Sequence, residues 1–127
     1  MENKIVQLKD ERGNNIYPLG YIGSNLELLW TNASPTSTFN AQKVEVDLRE
    51  FSTVLVVIKA TNGATAVGSC TTLIKGLPSQ RVYNCSDAIY YRNTPLVEDS
   101  GITFEGGYKG STSGNTNAIP YQIYGIK

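Results

Sequence analysis

Histidine is absent from this 127-residue chain. That removes the commonest general base, the commonest metal ligand and every His-dependent catalytic triad. Cysteine is scarce: Cys70 and Cys85 are the only two, and they lack the CxxC spacing of a zinc site. Charge is sparse as well, with 17% charged residues and a formal net charge of zero. A protein that binds by neutralising phosphates carries a basic excess. Neither nucleic acid nor an anionic membrane surface is therefore an expected partner. Long apolar runs are also missing. Val54 to Ile58 is the longest, far below the ~20 residues of a spanning helix, so membrane insertion is not expected. No cofactor motif is present. No signal peptide follows Met1, so Cys70 and Cys85 are expected as reduced, half-buried thiols.

What is present is strand chemistry. Val44, Val46 and Leu48 alternate with Glu45, Asp47 and Arg49, the period of two of a half-buried antiparallel strand. Val54-Leu55-Val56-Val57-Ile58 is continuous and β-branched, which suits a strand covered on both faces. Ile5 to Lys9, Leu26 to Trp30, Ser69 to Lys75, Arg81 to Cys85, Ala88 to Arg92 and Ile102 to Phe104 complete the series, separated by Gly, Pro, Asn and Asp turns. In the Leu26 to Trp30 strand, Leu26, Leu28 and Trp30 are expected on one face. No window sustains apolar residues at helical spacing. The expected fold is all-β, an antiparallel two-sheet β-sandwich or jelly roll, large enough to build a core without disulfides. Residues 1–24 read as an N-terminal hairpin or stem-like segment, and residues 25–127 as the β-sandwich domain.

The closing stretch is the most informative. Ile102 to Phe104 leads into a loop of Gly, Ser, Thr and Asn from Gly106 to Ala118, and a last strand runs from Ile119 to Ile126. That strand ties the C-terminus into a sheet, since a free end frays. The loop displays Tyr108 and Lys109 among small residues, and loops on rigid scaffolds carry binding disproportionately.

A saccharide site needs flat rings for the sugar's C–H face and amides, hydroxyls or Arg for its hydroxyls. Trp30, Tyr90, Tyr91, Arg92, Tyr108, Tyr121 and Tyr124 are the residues of that chemistry, with Lys109 beside them. Trp30 also reads as a core plug. Tyr90 and Tyr91 are adjacent and face opposite sides of a strand. Arg92 shares a face with Tyr90, and an exposed Tyr/Arg pair has the composition of an interface anchor. Glu45 and Asp47 lie about 6.5–7 Å apart along their strand, from a two-residue rise. That is near the spacing of glycosidase carboxylates, but alternation directs both to solvent. No catalytic residue and no metal site is expected.

The opening KIVQLKDERGNNIYP resembles a "QLKDxxGNxIYP" segment of structural proteins from tailed phages and prophages of Gram-positive bacteria. LWTNASPTSTFNAQKVEVDL and GITFEGGY…IPYQIYGIK resemble the first core strands and the C-terminal ends of small tail-fibre or receptor-binding tip domains in that group. Together these cover about half of the chain. The resemblance implies a non-enzymatic virion protein, made in the bacterial cytoplasm. It implies a homotrimer that binds a host cell-surface saccharide or protein and meets other virion proteins through its N-terminal segment. A capsid-decorating or head-fibre protein with an assembly role is the alternative.

Overall fold

The computed structural model describes residues 25–65 and 69–127. The expected N-terminal hairpin lies outside the described residues. Eleven strands follow in chain order: β1 (Leu26–Thr31), β2 (Gln42–Glu45), β3 (Thr53–Thr61), β4 (Ser69–Ile74), β5 (Gln80–Cys85), β6 (Ile89–Thr94), β7 (Leu96–Glu98), β8 (Gly101–Phe104), β9 (Gly107–Lys109), β10 (Thr112–Ser113) and β11 (Asn117–Ile126). The described residues contain no helix. The strands form three antiparallel sheets, ordered β1-β11-β3-β4, β10-β9-β6-β5 and β2-β8-β7.

One hydrophobic core draws on all three sheets. The first sheet supplies Val54, Val56, Ile58, Leu73, Ile119 and Ile123; the second, Val82 and Tyr90; the third, Val44, Val97, Ile102 and Phe104. Val46 and Leu48 continue the alternation past β2 and stay in register through Val46 N–Ser100 O (3.2 Å) and Leu48 N–Asp99 O (2.8 Å). Each such aliphatic side chain contributes about 1.5–3 kcal/mol relative to exposure. β3 turns Val54, Val56 and Ile58 into the core and leaves Leu55 and Val57 half-buried on the other face.

All three sheets are joined to one another, the first and third by Gly76 N donating to Val97 O at 2.8 Å just past the end of β4. Glu105 N donates to Asn93 O at 2.9 Å, linking the second and third. Between the first and second, side chains replace ladder bonds. Tyr83 N donates to Thr71 Oγ1 (3.0 Å), and Ser69 Oγ donates to Tyr83 O (3.0 Å). The Gln80 amide accepts from Ile74 N and donates to Ile74 O, both at 2.8 Å, so it serves that residue as a strand partner would.

Three expectations are corrected. A register shift between Leu28 and Trp30 breaks the period of two in β1, so Leu29 and Trp30 pack on the core while Leu28 is exposed. The 106–118 segment is no open loop. Gly107 and Ala118 are buried, and β9 and β10 form a small hairpin within it. Cys70 and Cys85 are free, but both are exposed. Pro120 sits inside the central strand β11, a position proline takes only at a bulge, and the register shift between Pro120 and Gln122 provides one.

A tyrosine ladder as candidate recognition site

Strand register builds this site. Tyr83 on β5 lies opposite Tyr91 on β6, Tyr91 opposite Tyr108 on β9, and Tyr108 opposite Ser113 on β10. Residues directly opposite share a sheet face, so the row crosses the whole second sheet. Val82, Tyr90 and Arg92 alternate with these positions and are buried. The ladder therefore lies on the outer face, with Tyr83 40% exposed.

The rings are held against one another. Tyr91 and Tyr108 stack with centroids 5.0 Å apart and planes 8° from parallel, and Tyr83 leans toward Tyr91 at 6.3 Å and 41°. The Arg81 guanidinium lies over Tyr91, 4.4 Å from the ring centroid, and its Nε donates to Asn93 Oδ1 at 2.6 Å. β5 and β9 flank β6 on opposite sides, so Arg81 and Tyr108 cover opposite faces of Tyr91. Tyr83 is the exposed ring of the row, and Tyr91 and Tyr108 are half-buried beside it. Such stacking is worth about 0.5–1.5 kcal/mol per aromatic pair, and an exposed cation–π contact about 0.5–1. The result is a rigid surface of planar groups with few rotamers to freeze on binding. Beside it lies a shallow depression of about 490 Å³ lined by Ser79, Arg81, Tyr83, Asn93, Pro95 and Glu105 among others.

The candidates from sequence divide sharply. Tyr108 and Tyr91 stand in the ladder. Lys109 is exposed but points away from it, with its ammonium 5.7 Å from the Tyr90 ring centroid. Tyr90 and Arg92 do share a face, as expected, but it is the inner one. The reading of them as an exposed contact pair is corrected. Tyr90 is 4% exposed and its hydroxyl donates to Asp87 Oδ1 at 2.9 Å. That bond, aided by Ser86, holds the Asp87 carboxyl below its ordinary range. Arg92 is fully buried. Its Nε donates to Ala118 O (2.7 Å), Nη1 to Glu105 O (2.9 Å), and Nη2 to Asn117 O (3.0 Å) and Asn115 O (3.1 Å). Burial pushes the guanidinium down to about 10, still protonated at neutral pH. Trp30 is half-buried and packs edge-on against Phe39, 6.4 Å between centroids, which is core packing. Tyr121 and Tyr124 are half-buried, and the Tyr124 hydroxyl donates to Gln122 Oε1.

Arg81 and Tyr83 were not among the expected contacts, though a signal existed. With Val82 inward, strand alternation sends both outward. The Ser86-Asp87 turn then folds them onto the strand that carries Tyr91.

A second depression of about 390 Å³ is lined by Glu45, Val46, Asp47, Arg49, Asp99 and Ser100. Asp47 is forked to Arg49 through Oδ1 (2.9 Å) and Oδ2 (2.7 Å), which lowers its carboxyl to about 2. An acid held ionised so firmly is paired, whereas a general acid needs its pKa raised toward the working pH. Among the described residues no group of three or more His, Cys, Asp or Glu could hold a metal ion.

No family model, curated protein or solved structure matches the chain.

Proposed function

We propose that the protein is a non-enzymatic recognition domain of a phage or prophage virion that binds a host-surface saccharide through the outer face of its second sheet. The observation that carries this reading is the Tyr83–Tyr91–Tyr108 ladder with Arg81 stacked on it. Rings, phenols, an amide and a guanidinium lie side by side and are already ordered, which is the chemistry a sugar's apolar face and hydroxyls require. The body is read as a two-layer β-sandwich: the Glu105 N–Asn93 O bond joins the second and third sheets into one layer that faces the first across the shared core. The virion assignment and the homotrimer rest on the resemblance of the opening and closing motifs. Three weak sites on one axis would gain avidity on a repetitive polysaccharide without any new contact.

The test is a glycan array of bacterial surface polysaccharides, probed with the wild type and with Y83A and Y108A variants. Binding by the wild type that falls at least tenfold in both variants supports the reading. A blank array combined with saturable binding to phage capsids would sink it in favour of a capsid-decorating protein.

A further inference from the structure

Resting on the saccharide reading of this face, we propose that the ligand is acidic: it carries a carboxylate or phosphate that seats on Arg81 and Asn93, at the edge of the tyrosine ladder.

The argument begins with the donors left over at that edge. Arg81 spends Nε on Asn93 Oδ1 (2.6 Å) and its π-face on Tyr91. Among the described residues its Nη1 and Nη2 meet no hydrogen-bond acceptor and no carboxylate within ion-pair range. Because Asn93 Oδ1 faces Arg81, the Asn93 NH2 group is turned out as a further donor. Arg81 and Asn93 line the same depression as Tyr83. A planar fork fixed by stacking and by its own Nε bond matches the two oxygens of a carboxylate or phosphate. A neutral sugar hydroxyl would use one of those donors and leave the charge unanswered. The exposed ring of Tyr83 lies alongside to receive the apolar face of the sugar that bears the acid.

Glu105 lines the depression too, yet it forms no ion pair with Arg81. Without that contact it leaves the guanidinium's hydrogen-bonding fork free, and its own charge repels an incoming anion from its side of the depression. The two charges make opposite demands on a ligand. If the ligand is anionic, removing Arg81 weakens binding and removing Glu105 strengthens it. If the ligand is cationic, both signs reverse.

The experiment uses the full chain and matched probes: cellobiose against cellobiouronic acid, glucose against glucose 6-phosphate, and inorganic phosphate alone. Binding is read from ¹H–¹⁵N spectra that include the Arg81 Nε–H resonance, in wild type, R81Q and E105Q. Both substitutions are at exposed side chains, and unchanged amide spectra away from the ladder verify the fold. The expected result is at least tenfold tighter binding of the acidic member of a pair, with shifts at Arg81 and the ladder tyrosines. R81Q removes that difference and E105Q tightens acidic binding two- to fivefold. The pair with the larger discrimination identifies carboxylate or phosphate as the source. Equal binding of neutral and acidic sugars, or weaker acidic binding in E105Q, overturns the proposal while leaving the saccharide reading intact. Phosphate bound alone with no sugar contribution, or no response to any probe, overturns both.

Discussion

Arg92 Nε donates to the carbonyl oxygen of Ala118 at 2.7 Å, and Ala118 holds a positive φ of 51°. A left-handed conformation costs a non-glycine residue roughly 1–2 kcal/mol. The guanidinium that grips its carbonyl also grips those of Glu105, Asn115 and Asn117. One side chain from β6 thus fixes the segments on either side of the β9–β10 hairpin, and with them the position of Tyr108.

Replacing this residue should unlatch the hairpin. R92M removes the side-chain donor from the carbonyls of Ala118, Asn117 and Glu105, at roughly 1–3 kcal/mol per group left unsatisfied, while Asn115 O keeps the Phe39 amide at 3.0 Å. We expect a loss of at least about 3 kcal/mol in urea unfolding, after partial rescue by water. R92K should fall between, since an ammonium has three donors and no planar fork. Hydrogen exchange at the Gly107, Gly114 and Asn117 amides should accelerate first. Stability of R92M within about 0.5 kcal/mol of wild type, the range of an ordinary surface change, would show that the latch is idle.

The ladder separates stability from binding. Y83A should cost no more than the one aromatic pair it removes, about 0.5–1.5 kcal/mol, and leave the fold intact, yet reduce saccharide binding at least tenfold. Tyr91 and Tyr108 should be coupled: a double-mutant cycle to alanine should return about 0.5–1.5 kcal/mol. A cycle that closes to zero would mean the stack contributes no mutual stabilisation.

Glycine at 107 is demanded by space. A Cβ there would overlap the Asn117 carbonyl oxygen and meet Gly114 O at 2.7 Å. Both are backbone atoms and cannot swing away. G107A should therefore cost about 3 kcal/mol, the upper end of ordinary single-site effects. G63A is the control, because nothing lies within 4 Å of a Cβ at Gly63. Thermal unfolding of the two variants checks the contrast, and equal melting temperatures would contradict it.

Asp47 carries the clearest acid signature. Its hydrogen bonds from Arg49 lower its pKa from 3.8 to about 2. A depressed carboxylate pKa means the folded chain binds this proton more weakly than the unfolded chain. The stabilisation is therefore present above pH 3.8 and is lost as pH falls through about 2. Carboxyl ¹³C shifts should give a midpoint near 2 in wild type and near 3.8 in R49Q. A wild-type midpoint already at the ordinary value would show that the fork does not persist in solution.

Cys70 and Cys85 are exposed and unpaired. Both should react with iodoacetamide in the native protein without denaturant. A mass shift for only one, or none, would place a thiol out of solvent's reach.

Much of the architecture was legible because its signals are local. The alternation of Val44, Val46 and Leu48, the β-branched run of β3, and the Ser86-Asp87 turn each declare a strand or its end within a few residues. β7 was missed because Pro95 marks a break and the three residues after it are too few to show alternation, although they pair locally with β8 across Asp99-Ser100. The β9–β10 hairpin was missed for a related reason. Its Gly, Ser, Thr and Asn residues have weak strand preference, and Arg92 orders the flanking segments from outside.

The site was half legible. Tyr-Tyr-Arg places an aromatic on each face of β6 and a cation on one, so hydrophobicity cannot choose which face turns inward. Intuition sends the arginine to solvent, since burying a charge is costly unless its donors are satisfied.

By itself the sequence determined the β character, the strand alternation, and the chemical classes that lack of histidine and of net charge exclude. Tertiary structure alone decided that Arg92 points inward, because the four carbonyls that satisfy it come from residues 105, 115, 117 and 118, which converge only once β11 has docked. With Arg92 inward, Tyr91 must point outward, and the ladder follows from the pairing of Tyr91 with Tyr83 on one side and with Tyr108, 17 positions along the chain, on the other.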